Sequence, residues 1–298
     1  MRRSSTATLL DATDRPAPGS ATRLDLPACG ALNVQWATCE EDVRAAQRLR
    51  FQVFALEMGA HLGTGPDAAP DAAPDAAHRL DRDRFDPFCD HLLVRAPVSD
   101  AAGSNQRGQL VGTYRVMPPD AARRAGGLYM DTEFDLAPLQ HLRAGAVELG
   151  RSCVHPAWRS GGVILALWSA LGRYMLAHGL QTMLGCASAP LAGQGDGRQG
   201  QSAEALWRRL RLTHLAAPAW QIQPTHPLPL RADDDFGMSA HSLDDPVPTP
   251  PLIKGYLRCG ARLLGPPALD LAFNTADLPM MLQLADLTPR YRQHFLGH

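Results

Sequence analysis

The segment with the most chemistry is Glu148-Leu149-Gly150-Arg151-Ser152-Cys153-Val154, followed at once by His155-Pro156-Ala157-Trp158-Arg159-Ser160-Gly161-Gly162. The first seven residues read as a strand, His155-Pro156 as its stop, and the two glycines as a turn opening onto a helix. A helix's first turn carries unpaired N–H groups and the positive end of the dipole, so it can hold a phosphate. Glycines let the backbone approach such a group closely. Arg159, Ser160, Gly161 and Gly162 are therefore the candidate phosphate loop. An acid and a base three apart on one buried strand, Glu148 and Arg151, are costly unless paired or functional. On a regular strand Glu148 and Gly150 face one way and Leu149 and Arg151 the other, unless a bulge intervenes. A structural ion pair at the strand end is the alternative reading.

Other constellations say less. Cys153 and Cys186 are nucleophile types, but nothing near them argues for a depressed thiol pKa, so packing is the simpler reading. Asp233-Asp234-Asp235 lacks ligand spacing and reads as solvated charge, so no metal is expected. His178, next to Gly179, reads as a helix C-terminal residue. Lys254, Arg258 and Arg262 are four apart on an expected helix over Leu252–Leu264, a basic stripe beside an apolar face. Such a stripe suits an acidic partner or an anionic bilayer; an ordinary surface stripe is the alternative.

The elements that must position these residues follow from periodicity. Leu32–Thr38 alternates as a strand, and Thr38 with Glu41 has the spacing of a capping box ahead of a helix reaching about Met58. Strands are expected at His91–Arg95, Leu110–Met117, Glu148–Val154 and Thr182–Ala187, with a short helix or turn near Leu136–Leu142. Helices are expected over Val163–His178 and Ala203–Leu212. This order is α+β, a mixed and mostly antiparallel sheet flanked by helices, rather than a repetitive doubly wound fold. Residues 1–28 read as a disordered tail and 29–190 as the core. The repeated Pro-Asp-Ala-Ala unit makes 63–80 a low-complexity insert, and 191–298 a mainly helical C-terminal extension packing on the core.

Composition bounds the function. The 298 residues include 45% hydrophobic and 20% charged, so a real core is buried. Lys+Arg is 29 against Asp+Glu 30, a net charge of -1 that offers no global field for nucleic acid. Six scattered cysteines form no C-x-x-C pair, which disfavours zinc ribbons and a secreted disulfide framework. No apolar run approaches a membrane span. The expectation is a cytoplasmic protein, with peripheral contact at the inner face of the membrane as an option.

Val154-His155-Pro156-Ala157-Trp158-Arg159 with Gly162 resembles the acyl-donor loop of GNAT-fold N-acyltransferases, with Ile164 where that pattern has Gly or Ala. The chain also resembles the bacterial ornithine-lipid acyltransferases. The matching segments are Arg50–Phe54, Phe85–Val94, Val111–Arg115, Glu148–Arg159, His178-Gly179, Gly185–Ser188, Lys254–Arg258 and Phe273–Leu278. The first half is distantly similar to acyl-homoserine-lactone synthases, without a counterpart to their tryptophan in Ala55–Leu62. The resemblance implies a GNAT-like fold and no bound cofactor. It further implies a 3-hydroxyacyl-phosphopantetheine donor on acyl carrier protein, and L-ornithine as the acceptor. The functional pattern of the lactone synthases lands on Arg50, Phe54, Asp86, Arg115, Glu148 and Arg151.

The physical requirements of such a transfer fit these types. Aminolysis of a thioester needs a neutral amine, so a carboxylate base is sensible, and Glu148 is the candidate. The acceptor carboxylate needs an arginine, Arg115 or Arg151, ideally bidentate. A side-chain ammonium needs an acid, Asp86 or Asp90. The carrier protein or an anionic membrane would meet Lys254, Arg258 and Arg262. Another amino-acid N-acyltransferase, a lactone synthase included, and a non-catalytic GNAT-like binding module stay open as alternatives.

Overall fold

The computed structural model describes residues 22–26, 30–62, 79–97, 108–191, 201–231 and 248–296. The first 21 residues, nearly all of the Pro-Asp-Ala insert, the Gly/Gln stretch from 192 and Asp233–Asp235 lie outside the described residues. Inside the expected tail, Thr22, Leu24 and Leu26 alternate with Arg23 and Asp25. This segment forms a strand, β1 (Thr22–Leu26), antiparallel to β2 (Gly30–Trp36). The tail reading is corrected there: five residues with period two found a partner strand.

Helix α1 (Glu40–Phe51) follows and widens into a π-type turn over Gln52–Glu57. Cys39, not Thr38, is its N-cap, and the expected capping box is absent. The Thr38 N–H instead donates to Asp42, a buried carboxylate that Arg95 holds at 3.1 Å. Next come β3 (Asp90–Ala96), β4 (Gln109–Met117), α2 (Pro119–Ala125), the short β5 (Phe134–Asp135), β6 (Ala146–Val154), α3 (Gly162–Ala177) and β7 (Thr182–Pro190).

The extension carries α4 (Gln201–His214), β8 (Gln223–Pro224), α5 (Pro251–Cys259), β9 (Arg262–Leu263), β10 (Ala268–Asp270), β11 (Thr275–Gln283) and α6 (Pro289–Leu296). Of its helices, α4 and α5 were expected and α6 was not. None of its strands was expected; β9, β10 and β11 extend the central sheet, because β11 pairs with β7 along nine residues, while β8 pairs with β5 apart from it. The expected helix over Leu252–Leu264 stops at Cys259. Gly260 is left-handed there (φ 110°), where a side chain would also collide with the Asp286 carbonyl. Arg262 therefore sits on β9, and only Lys254 and Arg258 share the helix.

The main sheet runs β1-β2-β3-β4-β6-β7-β11-β10, with β9 against β11. Every pairing is antiparallel except β6 with β7. That parallel pairing lasts only three residue pairs, ending at Glu148↔Leu184. Beyond it β6 and β7 part, while β7 stays paired to β11 as far as Pro190. One face of the sheet packs on α3 through Leu92, Val94, Val147, Leu167 and Leu171. The other face meets α1, α2 and a second apolar group around Phe85, Met117, Met130 and Leu139.

Candidate active site

The parting of β6 from β7 places an opening in the middle of the sheet, and each face presents different chemistry to it. Gly185 is the first residue of β7 past the last pair. A Cβ there would strike the Leu149 carbonyl oxygen, so the two backbones meet more closely than any side chain permits. Gly185→Val should force β6 and β7 apart at the point where they diverge. Overpacking of this kind costs about 1–3 kcal/mol. A lowered urea midpoint with an unchanged m-value is the expected result, and an unaltered midpoint would show that the strands can give.

On the α3 face the opening leads into an apolar cleft enclosing about 680 Å³, its open mouth included. Leu149, Trp168, Leu171, Met183, Met280 and Phe295 are among its walls. Its polar groups are the Tyr114 and Tyr256 hydroxyls, which hydrogen-bond each other and engage Ser152. Burial pushes Tyr114 up to about 12, so it stays protonated at neutral pH.

The opposite face is charged. Pairing between β4 and β6 steps from Thr113↔Cys153 to Arg115↔Gly150, so β6 carries one extra residue there. Arg151 is in that bulge with φ 50°. The bulge turns its side chain to the face that Arg115, Gly150 and Glu148 share, the exception that strand alternation allows. Three arginines from separate elements then meet three aspartates of one loop. Arg50 holds Asp81 at 2.8 Å and Asp86 at 2.7 Å, and Arg115 grips both oxygens of Asp83 at 2.6 Å. Arg151 reaches Asp83 at 3.2 Å. Burial acts to raise Asp86, but Arg50 and Arg115 hold it far below the usual carboxylate range.

Glu148 occupies the last β6–β7 pair and is 5% exposed. Its two oxygens accept the backbone N–H groups of Tyr129 and Met130, each at 2.7 Å. Burial pushes it up to about 7, and those two hydrogen bonds pull the other way. A carboxyl group half-ionised near neutrality, beside an opening through a sheet, is suited to take a proton.

Of the residues named from sequence, Arg50, Asp86, Arg115, Glu148 and Arg151 are thus on one face. Arg50 and Asp86 are 1% and 5% exposed and already engaged with each other, which makes them a frame around the site. Phe54 packs in a small core with Val53 and Cys153 and stands edge-on to Phe273, whose ring carries the Arg151 guanidinium 4.4 Å from its centroid. Asp90 lies apart, on the α3 face, where it accepts the Tyr174 hydroxyl at 2.9 Å. In the loop before α3, Arg159 makes a two-armed ion pair with Glu57 and donates to the Val154 carbonyl. Gly161 caps α3 with no side-chain hydrogen bond, so Ser160, Gly161 and Gly162 border a helix N-terminus that has no capping side chain at the N-cap position. Lys254 is on α5, the helix whose Gly255 packs on Trp168.

Sequence reasoning missed Asp81, Asp83, Tyr129, Glu133 and Tyr256, and gave Asp277 no role. Three aspartates within six residues, just ahead of a strand, were the available signal for the first two. Burial raises Cys153 to about 12 and Cys186 well above an ordinary thiol, in keeping with neutral packed thiols. Among the described residues no helix is long and apolar enough to cross a membrane.

A mixed sheet opened between two parallel strands, with a glycine loop and helix following the first of them, defines an acyltransferase of the GNAT class. The family model for the acetyltransferase (GNAT) domain matches residues 49–169. The L-ornithine N(alpha)-acyltransferase of Brucella abortus (strain 2308) is 34% identical over 271 residues, 89% of either chain. That of Rhodobacter capsulatus is 33% identical over 270 residues, 88% of this chain and 93% of its own. The chain belongs to the L-ornithine N(alpha)-acyltransferase family. Among solved structures, the AHL synthase LasI aligns over 89% of this chain and 95% of its own, at 14% identity and a TM-score of 0.45.

Proposed function

We propose that this enzyme transfers a 3-hydroxyacyl chain from the phosphopantetheine thioester of acyl carrier protein to the α-amine of L-ornithine, giving lyso-ornithine lipid. The observation that carries the reading is the opening at Glu148, apolar on the α3 face and charged on the other. An acyl chain suits the first side and an amino acid the second. The donor's phosphodiester would lie at Ser160–Gly162, where the α3 N-terminus favours an anion. Arg159 would exchange Glu57 for that phosphate.

In the reaction the amine nitrogen attacks the thioester carbon, the N–C bond forms, and the C–S bond breaks. Glu148 accepts the proton that the amine gives up, directly or through water. The leaving sulfur takes a proton in turn. Of the groups lining the cleft, the Tyr114 and Tyr256 hydroxyls are neutral proton carriers suited to supply it. Arg151 is the arginine on the acceptor side with capacity left for a carboxylate, since its Nε is buried without a hydrogen-bond partner.

Purified enzyme, carrier-bound and CoA-bound acyl donors and a panel of amino acids, read by mass spectrometry, test the proposal. The carrier thioester should give the higher kcat/KM, and ornithine the dominant product. A CoA thioester of equal or greater kcat/KM overturns the donor assignment, and an absence of turnover overturns the catalytic reading. Lys254 and Arg258 supply the test of partner docking, since rim charges act mainly on association rate and salt dependence. Reversing both to Glu should raise the donor KM and remove its rise with salt, leaving the ornithine KM alone. Loss of binding to anionic vesicles with donor KM intact would assign the pair to a bilayer instead.

A further inference from the structure

Four acid or thiol side chains from four elements converge on the charged face beside Arg151. Glu133 follows the turn Tyr129–Thr132, Cys186 is on β7, Asp277 on β11 and Asp270 on β10. One ligand atom each of Glu133, Cys186 and Asp277 lies within 4.8 Å of the others. Tyr129 Oη donates to Glu133 at 2.8 Å, Cys186 Sγ donates to it at 3.3 Å, and Thr275 Oγ1 donates to Asp277 at 2.9 Å. Ser188 also hydrogen-bonds Asp277, and Asp270 accepts the Phe273 N–H at 3.0 Å, so every one of these donors is neutral. Among the described residues no arginine, lysine or histidine comes within ion-pair distance of Glu133, Asp270 or Asp277. The neighbouring network, by contrast, balances three aspartates with three arginines. Burial and mutual repulsion push Glu133 up strongly and Asp277 up to about 6.

Two further observations show what is missing. Arg151 has a buried Nε with no hydrogen-bond partner, Asp81 being its nearest acid at 3.5 Å, and its guanidinium lies over the Phe273 and Tyr129 rings between the balanced network and this unbalanced cluster. A place for an anion thus adjoins a place for a cation, as an amino acid with a basic side chain requires. Register supplies the second. Cys186 is two residues along β7 past Leu184, the last partner of Glu148, or roughly 7 Å. The two nitrogens of extended ornithine, five bonds apart, are separated by about 6 Å.

Resting on the acceptor assignment above, we infer that Glu133 and Asp277 are the specificity-determining residues that bind the side-chain ammonium of ornithine while its α-amine stands at Glu148. Cys186 and Tyr129 orient the Glu133 carboxylate, and Asp270 adds charge from the rim. A basic acceptor supplies the cation that the fold leaves out. A neutral acceptor of the same length leaves the buried Asp277 and the half-buried Glu133 uncompensated, which is how the site discriminates.

The test compares L-ornithine with L-norvaline, which has the same carbon skeleton without the terminal amine. Wild type should prefer ornithine by about 100-fold or more in kcat/KM. Glu133→Gln and Asp277→Asn should each cut that ratio about tenfold or more, through the ornithine KM. Ornithine should also raise the Tm of wild type and not of Asp277→Asn. Because both variants are near-isosteric, circular dichroism and the unliganded Tm establish that they fold. A ratio kept by folded variants overturns the inference, as does activity that EDTA removes and zinc restores, which would make the cluster a metal site. Failure of wild type to acylate ornithine at all would overturn the acceptor assignment itself, a separate and visible outcome.

Discussion

Glu148→Gln lowers kcat by about 100-fold or more, the usual scale for loss of a general base, and removes the ascending limb of the rate profile near pH 7. The magnitude follows from the position of the carboxyl group. It sits on the last residue pair before β6 and β7 part, 5% exposed, with both oxygens anchored by backbone N–H groups. Burial raises it to about 7, so wild type gains the ionised, proton-accepting form as pH rises through neutrality. The same shift has a stability cost of known sign. A carboxyl group with folded pKa near 7 and unfolded pKa near 4.5 binds more protons when folded, so its ionisation destabilises the fold progressively between those values. Glutamine titrates nowhere in that range and escapes this penalty. It also turns an NH2 group toward one of the two backbone donors, which offsets part of the gain. The expected Tm change at pH 7 is therefore small beside the loss of turnover. Near-normal kcat in a folded Glu148→Gln enzyme would return Glu148 to the role of a buried structural carboxylate.

Much of this architecture was legible because its signals are local. Strand alternation, the Pro-marked stop after Val154 and the glycines ahead of α3 each act over a few residues, and each element formed where its pattern lay. Apart from β1, whose partner strand is the next one along the chain, the misreadings share one cause, which is information held outside the segment itself. Nothing in Arg262 distinguishes a helical from an extended residue; Gly260 and the Asp286 carbonyl decide it. Thr38 lost its capping role because Arg95, far along the chain, keeps Asp42 buried. Arg151 reaches the acidic face through a bulge that only the β4 register reveals. Glu133, Cys186 and Asp277 are spread across nearly half the chain and become neighbours only when β11 joins β7. The site residues were named by chemical type before the structure placed them, but whether an arginine binds substrate or supports its neighbours depends on what already occupies it.

Arg50 is the sharpest instance, and Arg50→Met should cost about 3–5 kcal/mol of stability, the range for breaking a buried ion pair by removing one partner. Arg50 is 1% exposed and holds Asp81 and Asp86 together, with Gln47 as a further donor to Asp86 at 3.2 Å. Without it Asp86 keeps only Arg115, at 3.3 Å, among its close cations, and burial then works against the remaining charge. The pH dependence follows from the direction of the shift. In wild type the Asp86 pKa is depressed, so its stabilisation is present above the unfolded value of 3.8 and fades as pH falls below it. In Arg50→Met the uncompensated carboxylate takes up a proton at higher pH, so the stability gap between the two proteins narrows on acidification from pH 7. Adding Asp86→Asn to Arg50→Met should recover part of the loss, because removing both charges is far cheaper than stranding one. Urea unfolding at pH 7 and pH 5 measures these terms. Kinetics at low temperature, on the fraction still folded, separates the two uses of the residue. A frame residue leaves the ornithine KM near wild type, whereas an arginine that itself held substrate would raise it about tenfold or more. The closed geometry of the Arg50–Asp86 pair predicts the first result, and the second would move the acceptor carboxylate from Arg151 to Arg50.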